Sequence, residues 1–584
     1  MPVVAAESSF PPFDRQFLSS DRDFTVIGTG ALGGKALGLA FIKRIIAEQC
    51  PPGQIPGLTI RIPRLTVVQT DAFAQFMDHN RLWDVVREEP PDDRLAHAFQ
   101  RADLPPLIVG DLRAIVQEMH TPLAVRSSSL LEDALRHPFA GTYATKMIAN
   151  NQPDTDHRFQ RLAEAIKYVW ASTFFRDARS YLRAIGRACD DERMAVIIQE
   201  VVGRRHGNRF YPAVSGVIRT HNFYPMPPAR PEDGVVSLAL GLGKTIVDGG
   251  VVWTYSPAYP ALPPPYGSAR ELLENTQTEF WAVNMGPPPA YDPINEAEYL
   301  VTGSLADAEA DGTLRLLAST YDGESDRLVL GTGRHGPRAL TFAPVLELDE
   351  IPLNSAVRHL MTVCREALAS DVEIEFAVTF DPERRGPADF GFLQLRPTLV
   401  SGERIEVPDH VLADPAALVS SDRVLGNGAR DDLTDIVYVR PDTFEPKHTR
   451  AIAAELEALS RALVEAGRHC VLIGFGRWGS SDPWLGIPVT WPQIAAARVI
   501  VEATRPDMHV TPSQGSHFFH NMTSFGVLYF TVHHAGPGRI HWDALAALPL
   551  VGEGPLVRHV RAPAPLAVRV DGRTGRGTIA PGGR

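Results

Sequence analysis

Hydrophobic and polar positions alternate over Val372–Val378 and again over Phe392–Pro397, with a polar stretch between them. That period of two predicts a pair of strands joined as a hairpin, with Glu373 and Glu375 on one face of the first and Gln394 and Arg396 on one face of the second. An apolar run at Val26–Ile27 passes through Gly28, Gly30, Gly33 and Gly34 into a helical pattern that carries Lys35 at its mouth. A second apolar run, Ala124–Val125, leads through Arg126 into three serines, followed by Glu132 and the glycine Gly141. Helical spacing is read over 351–369, and helical character also over 268–281 and 295–300, while 314–321 and 327–330 look like a hairpin. Towards the carboxyl end, strands are expected at 435–439, 470–474 and 526–532, with an amphipathic helix over 446–466.

Three of these segments carry candidate chemistry. A guanidinium binds phosphate oxygens in bidentate fashion, and hydroxyls with close backbone amides cover the remaining lone pairs, so Arg126 with Ser127, Ser128 and Ser129 is suited to phosphate. The plainer alternative is a surface arginine beside a serine-rich turn. Lys35 brings a point charge to a helix amino terminus, where an anion is favoured. Its spacing fits neither the Walker pattern nor the dinucleotide fingerprint, and an ordinary helix-entry turn competes with a phosphate role. Carboxylate and amide oxygens suit a hard cation such as magnesium, which the Glu375 and Gln394 strands could supply; a solvent-facing hairpin with a Glu/Arg pair is the alternative.

Taken in this order, the three segments resemble the ATP-binding domain of the pyruvate phosphate dikinase and phosphoenolpyruvate synthase family, an ATP-grasp-type fold. The likeness runs from about Thr25 to Pro397 and extends to Ile62–Val68 with Asp71-Ala-Phe73, to Trp170-Ala-Ser172 and Arg176-Asp-Ala178, to Met194–Val202, to Ser215-Gly-Val217 and to Gly241-Leu-Gly243. Lys244 stands where the family usually has glutamate. The resemblance implies that Lys35 and Arg126 hold the ATP phosphates and that Gly141 and Thr145 lie in the loop closing over them. It also implies that Gln199, Glu200 and Val202 meet the adenine edge, that Glu375 and Gln394 hold magnesium, and that Arg396 lies against the β/γ end. The implied architecture is α/β: a two-lobed ATP-grasp-type module with lobes at 25–190 and 191–404, after an amino-terminal arm at 1–24, then a carboxyl-terminal α/β domain at 405–584.

Beyond Arg404 the likeness thins. The family's phosphohistidine motif does not stand in this sequence, and the stretch after Pro397 is shorter than the roughly 250 residues that a pyruvate-binding barrel needs. Pro512-Ser-Gln-Gly515-Ser516-His517 distantly resembles a phosphohistidine loop, which makes His517 a candidate phosphoryl carrier beside the alternative of a structural histidine. His520, His533 and His534 are weaker candidates, and Arg477 with Trp478 could form an anion or ring contact or a half-buried pair.

Composition narrows the function classes without choosing among them. The 584 residues allow several domains, and the net charge of -12 argues against general nucleic-acid binding. No apolar run is long enough to span a membrane, no secretory signal opens the chain, and four scattered cysteines show neither metal-ligand spacing nor a disulfide framework, so the cytoplasm is the expected compartment. The expectation is an ATP-dependent phosphotransferase using Mg-ATP and passing a phosphoryl group to a histidine or a small acceptor. An ATP-grasp ligase working through an acyl-phosphate and a non-catalytic ATP sensor remain open, as do a homodimer and a separate partner protein.

Overall fold

The computed structural model describes residues 10–14, 23–130, 132, 141–184, 187–223, 225–264, 268–381, 385–398, 405–480, 484–508, 526–572 and 574–582. The first elements are β1 (Phe24–Ile27), α1 (Gly34–Gln49), β2 (Leu58–Arg61), β3 (Leu65–Val68), β4 (Leu123–Ser129) and β5 (Thr145–Ile148). They are followed by α2 (Thr155–Ser172), β6 (Met194–Glu200), β7 (Val214–Arg219), β8 (Val235–Ala239) and β9 (Trp253–Tyr255). Next come α3 (Leu353–Leu368), β10 (Asp371–Thr379) and β11 (Ala388–Thr398). The chain divides into two compact units, one built from residues up to Pro397 and the other from Thr398 onward together with Asn222–Pro231.

Two sheets organise the first unit. One has the order β1-β3-β6-β4-β5, and the other β9-β8-β7-β10-β11-β2. Each borrows a strand from the opposite part of the sequence. β6 lies in the middle of the first sheet, antiparallel to both β3 and β4, although residues from 191 onward were expected in the second lobe. β2 runs parallel to β11 at the edge of the second sheet.

Helix α1 buries Ala36, Leu39, Ile42 and Ile46, a single stripe at helical spacing, and its start follows Gly33 in a left-handed conformation at φ 78°. Asp154 caps α2 by accepting from the amides of Asp156 and His157. Trp170-Ala-Ser172 ends α2, and Arg176-Asp-Ala178 opens a separate helix, Arg176–Ala184. One helical expectation holds only in part and another fails. Only Ala269–Glu274 is helical in the first segment, which then becomes the strand Glu279–Asn284; the second forms turns leading into its partner Leu300–Ser304. Phe280 is buried there against Tyr211 with ring centroids 4.5 Å apart, so sheet packing overrides the local helix propensity of the Glu, Leu and Ala residues. The hairpin is present as Ala318–Asp322 paired with Arg327–Leu330.

The second unit is α/β. Strands β12 (Asp435–Val439), β13 (Cys470–Phe475), β14 (Ala497–Ala503) and β15 (Leu528–Val532) are parallel neighbours, and β16 (Val557–Arg561) pairs antiparallel with β12. The expected long helix is α4 (Thr449–Glu465), preceded by a short 3-10 turn at Pro446–His448. A separate five-stranded sheet shares the apolar core through Leu566, Val568, Val570 and Ile579.

Candidate nucleotide site

The candidate residues converge through two strands of each sheet. Arg126 leaves the middle of β4, where its register partners are Ile197 on β6 and Thr145 on β5. Its guanidinium donates from Nη1 to the carbonyl of Leu393 at 2.9 Å and to Gln199 Oε1 at 3.3 Å, and from Nη2 to Gln394 Oε1 at 2.7 Å. Glu375 Oε2 lies 3.6 Å from the same Nη2, and Glu375 Oε1 lies 3.1 Å from Arg396 Nη2. Arg126, Gln199, Glu375, Gln394 and Arg396 therefore form one constellation within the first unit.

This meeting depends on a change of phase in β11. Ala388, Phe390 and Phe392 face the core, but the next core residue is Leu395, so the alternation shifts by one around Leu393. The shift turns Gln394 and Arg396 to the face that carries Glu373 and Glu375, while Val372, Ile374, Phe376 and Val378 stay in the core. Phe376 stacks on Phe390 at 4.6 Å with the ring planes 12° apart, fixing the strand pair on the core side.

Glu373 is buried between two guanidiniums, with Arg219 Nε at 2.8 Å and Arg396 Nη1 at 3.6 Å. Arg219 is opposite Glu373 in the β7–β10 register, a role no local sequence pattern marks; only knowledge of strand pairing would have found it. Three arginines thus face two carboxylates, which leaves one formal positive charge in excess. Such a set favours an anion that brings its own cation.

Glu375 and Gln394 meet the donor-set requirement for magnesium, since a carboxylate and an amide oxygen approach the same Arg126 Nη2. Two protein oxygens suit an ion that keeps several waters and uses phosphate oxygens for the rest. Among the described residues there is no group of three or more His, Cys, Asp or Glu that could hold a metal by itself.

The other expected residues are placed as follows. Lys35 is bound to Ser127 and Glu132, one strand residue beyond Arg126, and not to the arginine constellation. Gly141 has φ 66°, in the left-handed region, which agrees with the need for glycine there. The Thr145 amide donates to Glu296 Oε1 at 2.9 Å. Gln199 Nε2 donates to the Pro63 carbonyl at 3.3 Å, so its amide side chain is engaged at both ends. The Glu200 amide donates to the carbonyl of Arg64. Val202 is buried against Gly391, where an added Cβ would stand 2.4 Å from Val202 Cγ2. Lys244 pairs with Asp248 at 3.0 Å and lies over the Trp281 ring.

In the second unit, His517 and His520 lie outside the described residues. Trp478 is buried and its indole donates to the Val501 carbonyl at 3.2 Å, so this ring is a packing element. His534 Nδ1 is 3.2 Å from Thr504 Oγ1. Among the described residues no helix is long and apolar enough to cross a membrane.

Comparison with known proteins bears on the family of the first unit. A family model described as pyruvate phosphate dikinase, AMP/ATP-binding domain, matches residues 29–411. An uncharacterized phosphotransferase of Bacillus subtilis, YvkC, is 25% identical over 192 residues, covering 32% of this chain and 20% of the relative. A phosphoenolpyruvate synthase of Aeropyrum pernix is 29% identical over 234 residues, 38% of this chain and 26% of the relative. A rifampicin phosphotransferase of Streptomyces sviceus is 28% identical over 241 residues, 37% and 23%. The matches therefore span about a fifth to a quarter of the length of these relatives.

Proposed function

Because the chain belongs to the family of the pyruvate phosphate dikinase AMP/ATP-binding domain, we propose that it is an ATP-dependent phosphotransferase that binds Mg-ATP between the two sheets of its first unit. The observation that carries this reading is the convergence of Arg126, Arg396, Glu375 and Gln394 within hydrogen-bond and ion-pair distance. The names of the relatives, two phosphotransferases and a phosphoenolpyruvate synthase, support the reaction class.

In this reading Arg126 and Arg396 hold the phosphate chain and neutralise its equatorial oxygens, while Lys35 adds a third cation. Phosphoryl transfer is catalysed chiefly by positioning and charge compensation, so a site of fixed guanidiniums needs no covalent step of its own. Glu375 and Gln394 hold magnesium, which when bound compensates charge on the phosphates. Gly141 and Thr145 belong to the segment that covers the phosphates, and Gln199, Glu200 and Val202 border the base. The phosphoryl group passes to a histidine, with His517 the candidate, or to a small molecule held by the second unit, in the cytoplasm.

The ³¹P spectrum of the full chain after incubation with Mg-ATP tests the proposal. AMP with phosphate identifies transfer of the β-phosphoryl, and ADP transfer of the γ. Unchanged ATP that is nonetheless bound turns the protein into a sensor and refutes the phosphotransferase reading. A phosphohistidine signal lost in His517→Ala assigns the carrier.

A further inference from the structure

The start of α1 is seated closely against the serine loop. A Cβ on Gly33 would stand 1.8 Å from the Ser128 carbonyl oxygen, and one on Gly34 1.8 Å from that of Glu132. Ser128 Oγ ties the two together, donating to the Leu32 carbonyl at 2.8 Å and accepting from the Ala36 amide at 3.1 Å. Out of this joint reaches Lys35, whose Nζ donates to Glu132 Oε1 at 2.5 Å and to Ser127 Oγ at 3.0 Å. The carboxylate is fixed in turn, since Ser127 Oγ donates to Oε1 at 2.9 Å and the Ser129 amide to Oε2 at 3.0 Å. Lys35 and Glu132 are both buried. An ammonium has three N–H donors, so among the described residues two are committed inside the joint and one is left for a ligand.

We propose that Glu132 is a positioning residue of the phosphate-binding machinery, holding the Lys35 ammonium in place for an incoming triphosphate. It rests on the reading of Lys35 as a phosphate ligand and adds to it a carboxylate that never touches nucleotide. A flexible lysine loses rotamer freedom when it binds, and a side chain already fixed by its partner avoids that cost.

Glu132 also acts electrostatically on Glu192, in the turn before β6, one of whose buried carboxyl oxygens has no hydrogen-bond partner among the described residues. Burial, opposed first by the Ser129 hydroxyl and reinforced by Glu132, pushes this carboxyl up to about 7. Tyr143 and Arg187 are the other groups that interact with it electrostatically. Glu132, ion-paired to Lys35 and hydrogen-bonded to the Ser127 hydroxyl and the Ser129 amide, is the carboxylate that balances Lys35. Without it the buried ammonium has no counter-charge, a situation that drives lysines towards the neutral amine.

The test is calorimetric titration of Mg-ATP into the full chain from mildly acidic to mildly alkaline pH, with thermal melting in parallel. Glu132→Gln is expected to weaken Mg-ATP binding on the order of tenfold, with the loss growing as pH rises. Adding Lys35→Arg to that variant restores binding at alkaline pH, because a guanidinium stays charged without a partner. Glu192→Gln serves as the control that removes the second titrating group from the profile. Should Glu132→Gln fold poorly, Ser127→Ala removes the other anchor and gives a smaller loss in the same direction. Unchanged affinity and pH profile in Glu132→Gln overturn the proposal, and so does tighter binding, which would make Glu132 a competitor of the nucleotide. If the unmodified protein fails to bind Mg-ATP, it is the nucleotide reading that falls instead.

Discussion

Two carboxylates surrounded by arginines, one in each unit, show how similar parts serve different ends. Asp435 begins β12 and is 1% exposed; His559 Nε2 lies 2.8 Å from its Oδ1, Arg561 Nε donates to the same oxygen at 3.0 Å, and Arg468 donates to Oδ2 from Nε at 2.8 Å and Nη2 at 2.5 Å. Burial alone would raise its pKa, but these hydrogen bonds together outweigh burial and hold it below the usual carboxylate range. Glu375, by contrast, is 19% exposed and touches its guanidiniums at 3.1 and 3.6 Å, one contact per oxygen. Asp435 is saturated, and so fastens strands together. Among the described residues Glu375 makes one contact per oxygen and keeps lone pairs uncommitted, as the proposed magnesium ligand would need.

The comparison can be pressed by substitution. Asp435→Asn leaves arginines and a histidine around a neutral amide, and should destabilise the second unit by about 3–5 kcal/mol in denaturant melts while Mg-ATP affinity stays as it was. Because a depressed carboxyl contributes stability that is present above its unfolded pKa and lost as pH falls through the folded one, the gap between variant and parent should close in acid. Arg126→Ala should do the reverse, costing about 2–4 kcal/mol of Mg-ATP binding in calorimetry with a small change in melting temperature.

Glu192→Gln probes a third environment. Its carboxyl moves from an ordinary value of 4.5 to about 7, so the neutral form is the one that folding favours. That favour is complete below the unfolded pKa and disappears as pH rises through the folded one. The amide cannot ionise, and the variant should match the parent in acid and exceed it above neutrality, by about 3–4 kcal/mol at most in melts across pH. The smallest effect is expected for Glu375→Gln. Mg-ATP binding should weaken about tenfold, whereas ATP without the metal should bind as well as before or better, since one negative charge has gone. An unaltered magnesium dependence would return Glu375 to the role that Asp435 plays.

Much of the first unit was legible in the sequence because its signals are local. The alternation over 372–378, the glycines before Lys35 and the serines after Arg126 each mark an element by its own residues, and β10, α1 and β4 follow. What could not be read is what pairing decides. The alternation over 392–397 did place Gln394 and Arg396 on one face, but it did not reveal the phase shift at Leu393 that separates them from the core face of Ala388, Phe390 and Phe392. Arg219 and the Lys35–Glu132 joint were hidden for the same reason, since both depend on residues far apart in sequence. The helical reading over 268–281 fails beyond Glu274 because the aromatic and apolar residues from 279 on are explained by the partners across the sheet, which the local pattern does not contain.

The crossed loan of strands has a consequence for how such a unit can be inherited. The sheet that bears Arg126 takes its middle strand from residues 194–200, and the sheet that bears Glu375 takes an edge from residues 58–61. A fragment of the gene ending ahead of Met194 would encode β3 and β4 with a strand-wide gap between them, and one beginning after Arg61 would lack the rim of the other layer. Recombination that respects folding must therefore move this half of the protein whole.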